Sequence, residues 1–119
     1  RDLVRSRGLG DVYKRQADDL KMLAQDTRTL YGAEAKYLAA QLMYNAGDYA
    51  AAEKEILNFI DQSTPHAYWL ARSFILLSDV YVAMDKKLDA RQYLLSLQQN
   101  YHADDDIEGM IQERLEKLK

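Results

Sequence analysis

Two histidines, a run of three aspartates and a line of phenol and amide side chains are the residues in this chain that could do chemistry. His102 with Asp104, Asp105 and Asp106 offers an imidazole and carboxylates close enough in sequence for a divalent metal, and His66 stands apart beside Pro65. The same three aspartates at a helix start would instead cap free backbone amides. Neither a calcium-loop spacing nor a His-Glu-x-x-His pair is present, so capping is the expected role. No glycine-rich phosphate loop and no serine elbow appear, and the absence of cysteine removes thiolate nucleophiles, disulfides and thiolate metal sites. We therefore expect no enzyme, no cofactor and no metal. What remains is Tyr37, Gln41, Tyr44 and Asn45, spaced three and four apart. On a helix they share one face, where two phenol rings flanked by amides could grip a peptide's backbone and apolar side chains. An unoccupied polar helix face has the same pattern.

Composition narrows the partner. The chain has 119 residues, a net charge of −3 and 48% apolar residues, which suits one soluble domain with one modest core. Residues 1–16 hold five Lys/Arg against Asp2 and Asp11, a net +3, which leaves −6 on residues 17–119. A mildly acidic body without a basic face argues against a nucleic-acid backbone as partner. The nine tyrosines could stack single-stranded bases, but most recur at core-facing positions and the basic partners are missing. No run approaches the roughly 18 apolar residues of a membrane span, and the basic start is not followed by a signal-peptide core. No direct membrane insertion is expected.

The first sixteen residues differ in character from all that follows. They carry two glycines within three residues, no helical stripe and the opposite charge. A basic arm and a structureless terminus both fit, and the string also resembles translated sequencing-adapter read-through. On that last reading residues 1–16 are a non-native leader, and residues 17–119 are a fragment of a longer protein.

From Ala17 onward the apolar residues recur every three or four positions, and no segment alternates with period two. The spacing predicts six helices and no strand, over about 17–30, 33–46, 49–62, 65–84, 88–100 and 105–118. Tyr31-Gly32, Gly47-Asp48, Ser63-Thr64-Pro65 and Asp85-Lys86-Lys87 punctuate them. Gly47 can close a helix in the left-handed conformation, and Asp48 can cap the next. Thr64 is expected to cap the longest helix with Pro65 at its first position. The stripe of the second helix is read as Ala35, Leu38, Ala39, Leu42, Met43 and Ala46. The last helix, acid-first and lysine-last, reads as a solvating cap.

The pattern repeats. Residues 33–65 laid over 71–103 match Ala40 with Ser78, Met43 with Tyr81, Gly47 with Asp85, Ala52 with Ala90, Ile56 with Leu94 and Phe59 with Leu97, each pair 38 apart. Two helices, a turn and recurring small residues resemble the tetratricopeptide repeat, with Ala40 and Ser78 at its eighth position, Ala52 and Ala90 at its twentieth, and Gly47-Asp48-Tyr49 at its turn. The pattern's tryptophan is Lys36 in one unit and Phe74 in the other, its closing proline appears once, as Pro65, and the period is longer than usual. The resemblance covers residues 17–119: half a unit, two full units and a terminal helix.

Several expectations follow from that resemblance. The fold would be all-α, antiparallel helical hairpins stacked as a right-handed α-solenoid. The function would be protein–protein interaction, with a partner peptide or protein on a concave groove lined by the first helix of each hairpin. The family's groove positions fall on Glu34, Tyr37, Gln41, Tyr44 and Asn45, then on Arg72, Ile75, Asp79, Val82 and Ala83; the polar ones, Glu34 through Asn45 with Arg72 and Asp79, are the candidate site. The alternative is a structural cap or self-association module of a longer array, with no groove ligand. The long period and the Ala-Glu-Ala-Lys-Tyr entry are similar to repeats of bacterial cell-envelope proteins, such as outer-membrane assembly and Tol-associated factors; the compartment is otherwise open.

Overall fold

The computed structural model describes residues 26–119, so residues 1–25, with the leader and most of the expected helix 17–30, lie outside the described residues. The described residues form five α-helices and no strand: α1 Leu30–Asn45, α2 Tyr49–Asp61, α3 Ala67–Ala83, α4 Lys87–Asn100 and α5 Ile107–Lys117. None of these helices is long and apolar enough to cross a membrane.

Two tight turns pair the first four helices. Gly47 sits at φ 82°, its amide donates to the Tyr44 carbonyl at 3.0 Å, and the Asp48 amide donates to the Met43 carbonyl at 2.9 Å. Asp85, 38 residues later, sits at φ 61°, with Asp85 and Lys86 amides donating to Val82 and Tyr81 carbonyls at 3.0 and 2.7 Å. Both are the same left-handed helix closure, with its paired amide–carbonyl bonds. The Asp48 carboxylate then caps α2 through the Ala51 amide at 3.3 Å. Beyond each turn the helices run antiparallel. Tyr44 meets Tyr49 near the first turn and Lys36 meets Glu55 farther away; Tyr81 and Lys86 meet near the second, and Phe74 and Tyr93 farther away.

Aspartate holds a backbone conformation that costs an L-residue about 1–2 kcal/mol. Asp85 is exposed, with no side-chain partner among the described residues. Asp85→Gly is therefore expected to raise the unfolding free energy by about 1 kcal/mol, less than the full strain because glycine also loosens the unfolded chain. A denaturant titration checks it, and an unchanged or lower midpoint would refute the strain.

Helix starts depart from the sequence reading at α1, at α3 and at α5, which begins at Ile107, two residues later than expected. Tyr31-Gly32 does not interrupt a helix. α1 begins at Leu30, capped by Thr29, whose hydroxyl accepts from the Gly32 amide at 2.9 Å. A Cβ at Gly32 would stand 1.8 Å from the Asp26 carbonyl oxygen, so glycine is there to let the preceding turn close over the helix. That turn occupies residues 26–29, and the expected first helix does not continue to Leu30. Pro65, likewise, does not open α3, which starts two residues later at Ala67. The Thr64 hydroxyl accepts from the His66 amide at 3.2 Å and donates to the Thr27 carbonyl at 2.6 Å, tying the α2–α3 connection to the turn before α1.

The core has two parts, joined through α3. One gathers Tyr37 and Ala40 of α1, Ala52 and Ile56 of α2, Leu76, Leu77, Val80 and Tyr81 of α3, and Ala90 of α4. The other gathers Ala71 and Ile75 of α3, Leu94 and Leu97 of α4, and Ile107 and Ile111 of α5. Ala40, Ser78, Ala52 and Ala90, the small residues of the repeat pattern, are all buried, which is what lets the helix backbones approach. Ser78 resolves its buried hydroxyl on the Ile75 carbonyl at 2.6 Å.

The stripe of α1 is rotated from the expected one. Lys36, Tyr37 and Ala40 are buried, whereas Leu38 is 38% exposed. The repeat supplies the reason. Leu76 stands 38 residues after Leu38 and is 3% exposed, in the core part that contains the first hairpin. Leu38 has no described hairpin before it to do the same.

Candidate functional site

Four of the candidate residues are joined in a single hydrogen-bonded ladder. The Arg72 guanidinium on α3 donates to two phenol oxygens, Tyr37 on α1 and Tyr68 on α3, each at 3.0 Å. The Tyr37 hydroxyl in turn donates to Gln41 Oε1 at 3.0 Å, and Gln41 Nε2 donates to Asn45 Oδ1 at 3.0 Å. On the other branch Tyr68 donates to the Asp106 carboxylate at 3.0 Å. Every bond points away from Arg72. Each phenol accepts from a cation and donates onward, an arrangement that polarises the chain in one direction.

The cation is also held by rings. Arg72 lies 5.0 Å from the Tyr37 centroid, 5.8 Å from Tyr68 and 5.9 Å from Trp69. Tyr37 and Trp69 pack at 5.5 Å, and Tyr68 meets Trp69 edge-on at 5.2 Å. Arg72 makes no ion pair among the described residues and reaches a carboxylate only through the Tyr68 hydroxyl. Its planar fork suits this use, since it can donate to two oxygens while stacking on aromatic faces.

Asp79 and Tyr44 belong to a second cluster. Asp79 on α3 accepts both arms of Arg114 from α5, at 3.0 and 3.1 Å. Each side chain keeps about a quarter of its surface exposed, so this is a partly solvated bidentate pair. Tyr44, Asp79, Val82, Ala83 and Arg114 share the wall of one open cavity of about 470 Å³, between the C-terminal ends of α1, α3 and α5. Burial, and then the Asp79 charge, hold the Tyr44 phenol above its ordinary value. Glu34 is half-buried on α1 and joins neither cluster: it makes no hydrogen bond or ion pair with another described residue. Ile75 is buried in the core and lines no surface.

Sequence reasoning missed Arg114, Tyr68 and Asp106. Tyr68 and Asp106 stand 38 apart, one repeat, and that period could have paired them. Arg114 looked like one more charge on a solvating helix.

His102 turns to the Gln99 carbonyl at 3.0 Å, and His66 to the Arg28 carbonyl at 2.9 Å. Asp105 accepts from the Ile107 amide at 3.0 Å at the start of α5 and from the Tyr101 hydroxyl at 2.5 Å. Among the described residues no three acidic or histidine side chains stand together to hold a metal.

Among the described residues three phenols carry a pH dependence. Burial first and the Asp105 hydrogen bond second push Tyr101 up to about 12 from 10.0. Burial and then a hydrogen bond with Glu53 raise Tyr81 as well, and Tyr44 is raised as described. A phenol whose folded value is raised favours the folded state below its unfolded value and loses that contribution as pH climbs through the folded one. Stability is therefore expected to fall from about pH 10 upward. Tyr81→Phe should blunt the fall, read as unfolding midpoints across alkaline pH. Simultaneous ionisation of all tyrosines at the ordinary value in the folded chain would overturn it. No protein-family model, curated protein or solved structure matches the chain.

Proposed function

We propose that this chain is a tetratricopeptide-like array, stacked as a right-handed solenoid, that holds a protein or peptide partner on the face built by α1, α3 and α5, without catalysis. One observation carries the reading. The ladder runs over α1 and α3 to Asp106 at the start of α5, and these three helices supply most of the wall of the 470 Å³ cavity, which Lys87 and Leu94 of α4 complete; α1, α3 and α5 are the first helix of each successive unit. The ladder restrains the side chains before any partner arrives, so less ordering remains to be done on binding. Tyr44 and the 40%-exposed Val82 offer apolar surface beside polar groups, the mixture that peptide sites use.

Selection from a displayed random peptide library tests it. Peptides that enrich on the chain should lose binding to Tyr44→Ala and Val82→Glu variants whose melting is unchanged. No enrichment, or enrichment indifferent to both substitutions, would sink the reading. A structural cap is the second reading, favoured by α5. Its Glu108, Gln112 and Glu116, with Lys119 just beyond its end, form an exposed polar face, knitted by Gln112–Glu108 and Lys119–Glu116 bonds at 2.9 and 3.0 Å. The two readings coexist, since a capping face and a groove use different sides of α5.

A further inference from the structure

The cavity between α1, α3 and α5 has a charge opposite to that of the molecule. Lys87 at the start of α4 and Lys117 at the end of α5 line it together with Arg114 and Asp79. Three cations against one carboxylate leave this wall at +2, in a chain whose net charge is −3. Asp79 is satisfied by both arms of Arg114. Lys87 and Lys117 are exposed and make no ion pair or hydrogen bond with any described residue. The same cavity has an apolar lining of Val82 and Leu118, of which Val82 is substantially open, with Leu94 fully buried beneath it.

We propose that this cavity takes an acidic peptide segment, an apolar side chain on the floor of Val82 and Leu118 with flanking carboxylates on Lys87 and Lys117. The proposal rests on the groove reading above and specifies its partner. Charge complementarity selects the sign of the peptide, because a basic segment would face two uncompensated ammonium groups. The floor selects an apolar anchor, because burying a polar side chain there would leave it without a partner. Arg114 is not a free ligand: its pairing with Asp79 fixes the wall and leaves recognition to the two lysines.

The test uses the full chain and three labelled heptapeptides with blocked ends, each with a central leucine flanked on both sides by Glu, by Gln or by Lys. Fluorescence anisotropy should show the Glu peptide binding about tenfold tighter than the Gln peptide, the yield of two rim ion pairs. The Lys peptide should not bind, and added salt should erase the preference. Lys87→Glu with Lys117→Glu should invert it in favour of the Lys peptide, and Val82→Glu should abolish binding of the Glu and Gln peptides, with melting unchanged. Equal binding of the Glu and Gln peptides, both lost in Val82→Glu, would overturn the acidic preference while leaving the groove reading intact. Failure of all three peptides, together with an empty library selection, would overturn both. A dimer in sedimentation that Val82→Glu dissociates would show a second copy of the chain as the occupant and overturn the proposal.

Discussion

Leu77→Ala is expected to lower the unfolding free energy by about 2–5 kcal/mol, the range for truncating a buried leucine. Leu77 has no exposed surface and sits in the part of the core that draws on α1, α2, α3 and α4. Its neighbours limit relaxation. Ala40, Ala52 and Ala90 in the same cluster are the smallest apolar side chains, and none can extend into the space left behind. The cavity term should therefore come close to its full size, placing the loss toward the upper end of the range. Small domains are stable by about 5–15 kcal/mol, so the variant should be partly unfolded at moderate temperature. The damage should also reach α5, which packs on the other part of the core, because α3 supplies Ala71 and Ile75 there. Denaturant titrations followed by circular dichroism and by Trp69 fluorescence check this. Leu88→Ala is the control: Leu88 is 80% exposed, and its loss should stay within about 0.5 kcal/mol. A cost below about 1 kcal/mol for Leu77→Ala would mean that the core is not organised around α3.

The elements legible in the sequence were those with a local cause. The turns at Gly47 and Asp85 were readable because a left-handed residue after an apolar helix leaves few choices of side chain, and both sit at positive φ. Ser63 also takes a positive φ, at 54°, where the sequence showed only a break, while Tyr101, one repeat later, closes α4 in an extended conformation that suits its bulk. The recurring small residues were readable because close helix approach has no other solution, and all four are buried. What was not legible depended on partners far along the chain. Gly32 looked like a helix breaker, but its meaning lies in the Asp26 carbonyl folded over it. The ladder residues Tyr37, Gln41, Asn45 and Arg72 could be assigned to one face. That Tyr68 and Asp106 complete it, and that Arg114 engages Asp79, required knowing how α5 sits against α3. Hydrophobicity alone placed Leu38 inside, and the structure exposes it; Lys36, which stands where the repeat pattern has its tryptophan, is buried.

Lys36 marks a position that the two hairpins solve with different chemistry. In the first, Lys36 Nζ meets Glu55 Oε2 at 3.0 Å, with side chains 10% and 19% exposed. In the second, 38 residues on, the same places hold Phe74 and Tyr93, whose rings pack edge-to-face at 5.8 Å. An ion pair so little exposed gives back in desolvation much of what it gains in attraction. Removing one partner is another matter: Lys36→Met should cost about 2–3 kcal/mol, because it strands a carboxylate that is largely out of water, with the remaining exposure keeping the cost below that of a fully buried pair. Replacing both residues by the pair the chain already uses, Lys36→Phe with Glu55→Tyr, should return stability to the wild-type value or up to about 2 kcal/mol above it. Room exists for the larger side chains, since Lys36 and Glu55 border an open cavity of about 400 Å³ with Met43, Ala51 and Asn58. The double variant should thus be far more stable than the sum of the two single losses, a coupling that a double-mutant cycle of denaturation free energies measures directly. If it is instead as unstable as the singles combined, the two hairpins do not share an interchangeable packing site, and their structural equivalence stops at the turns and the small residues.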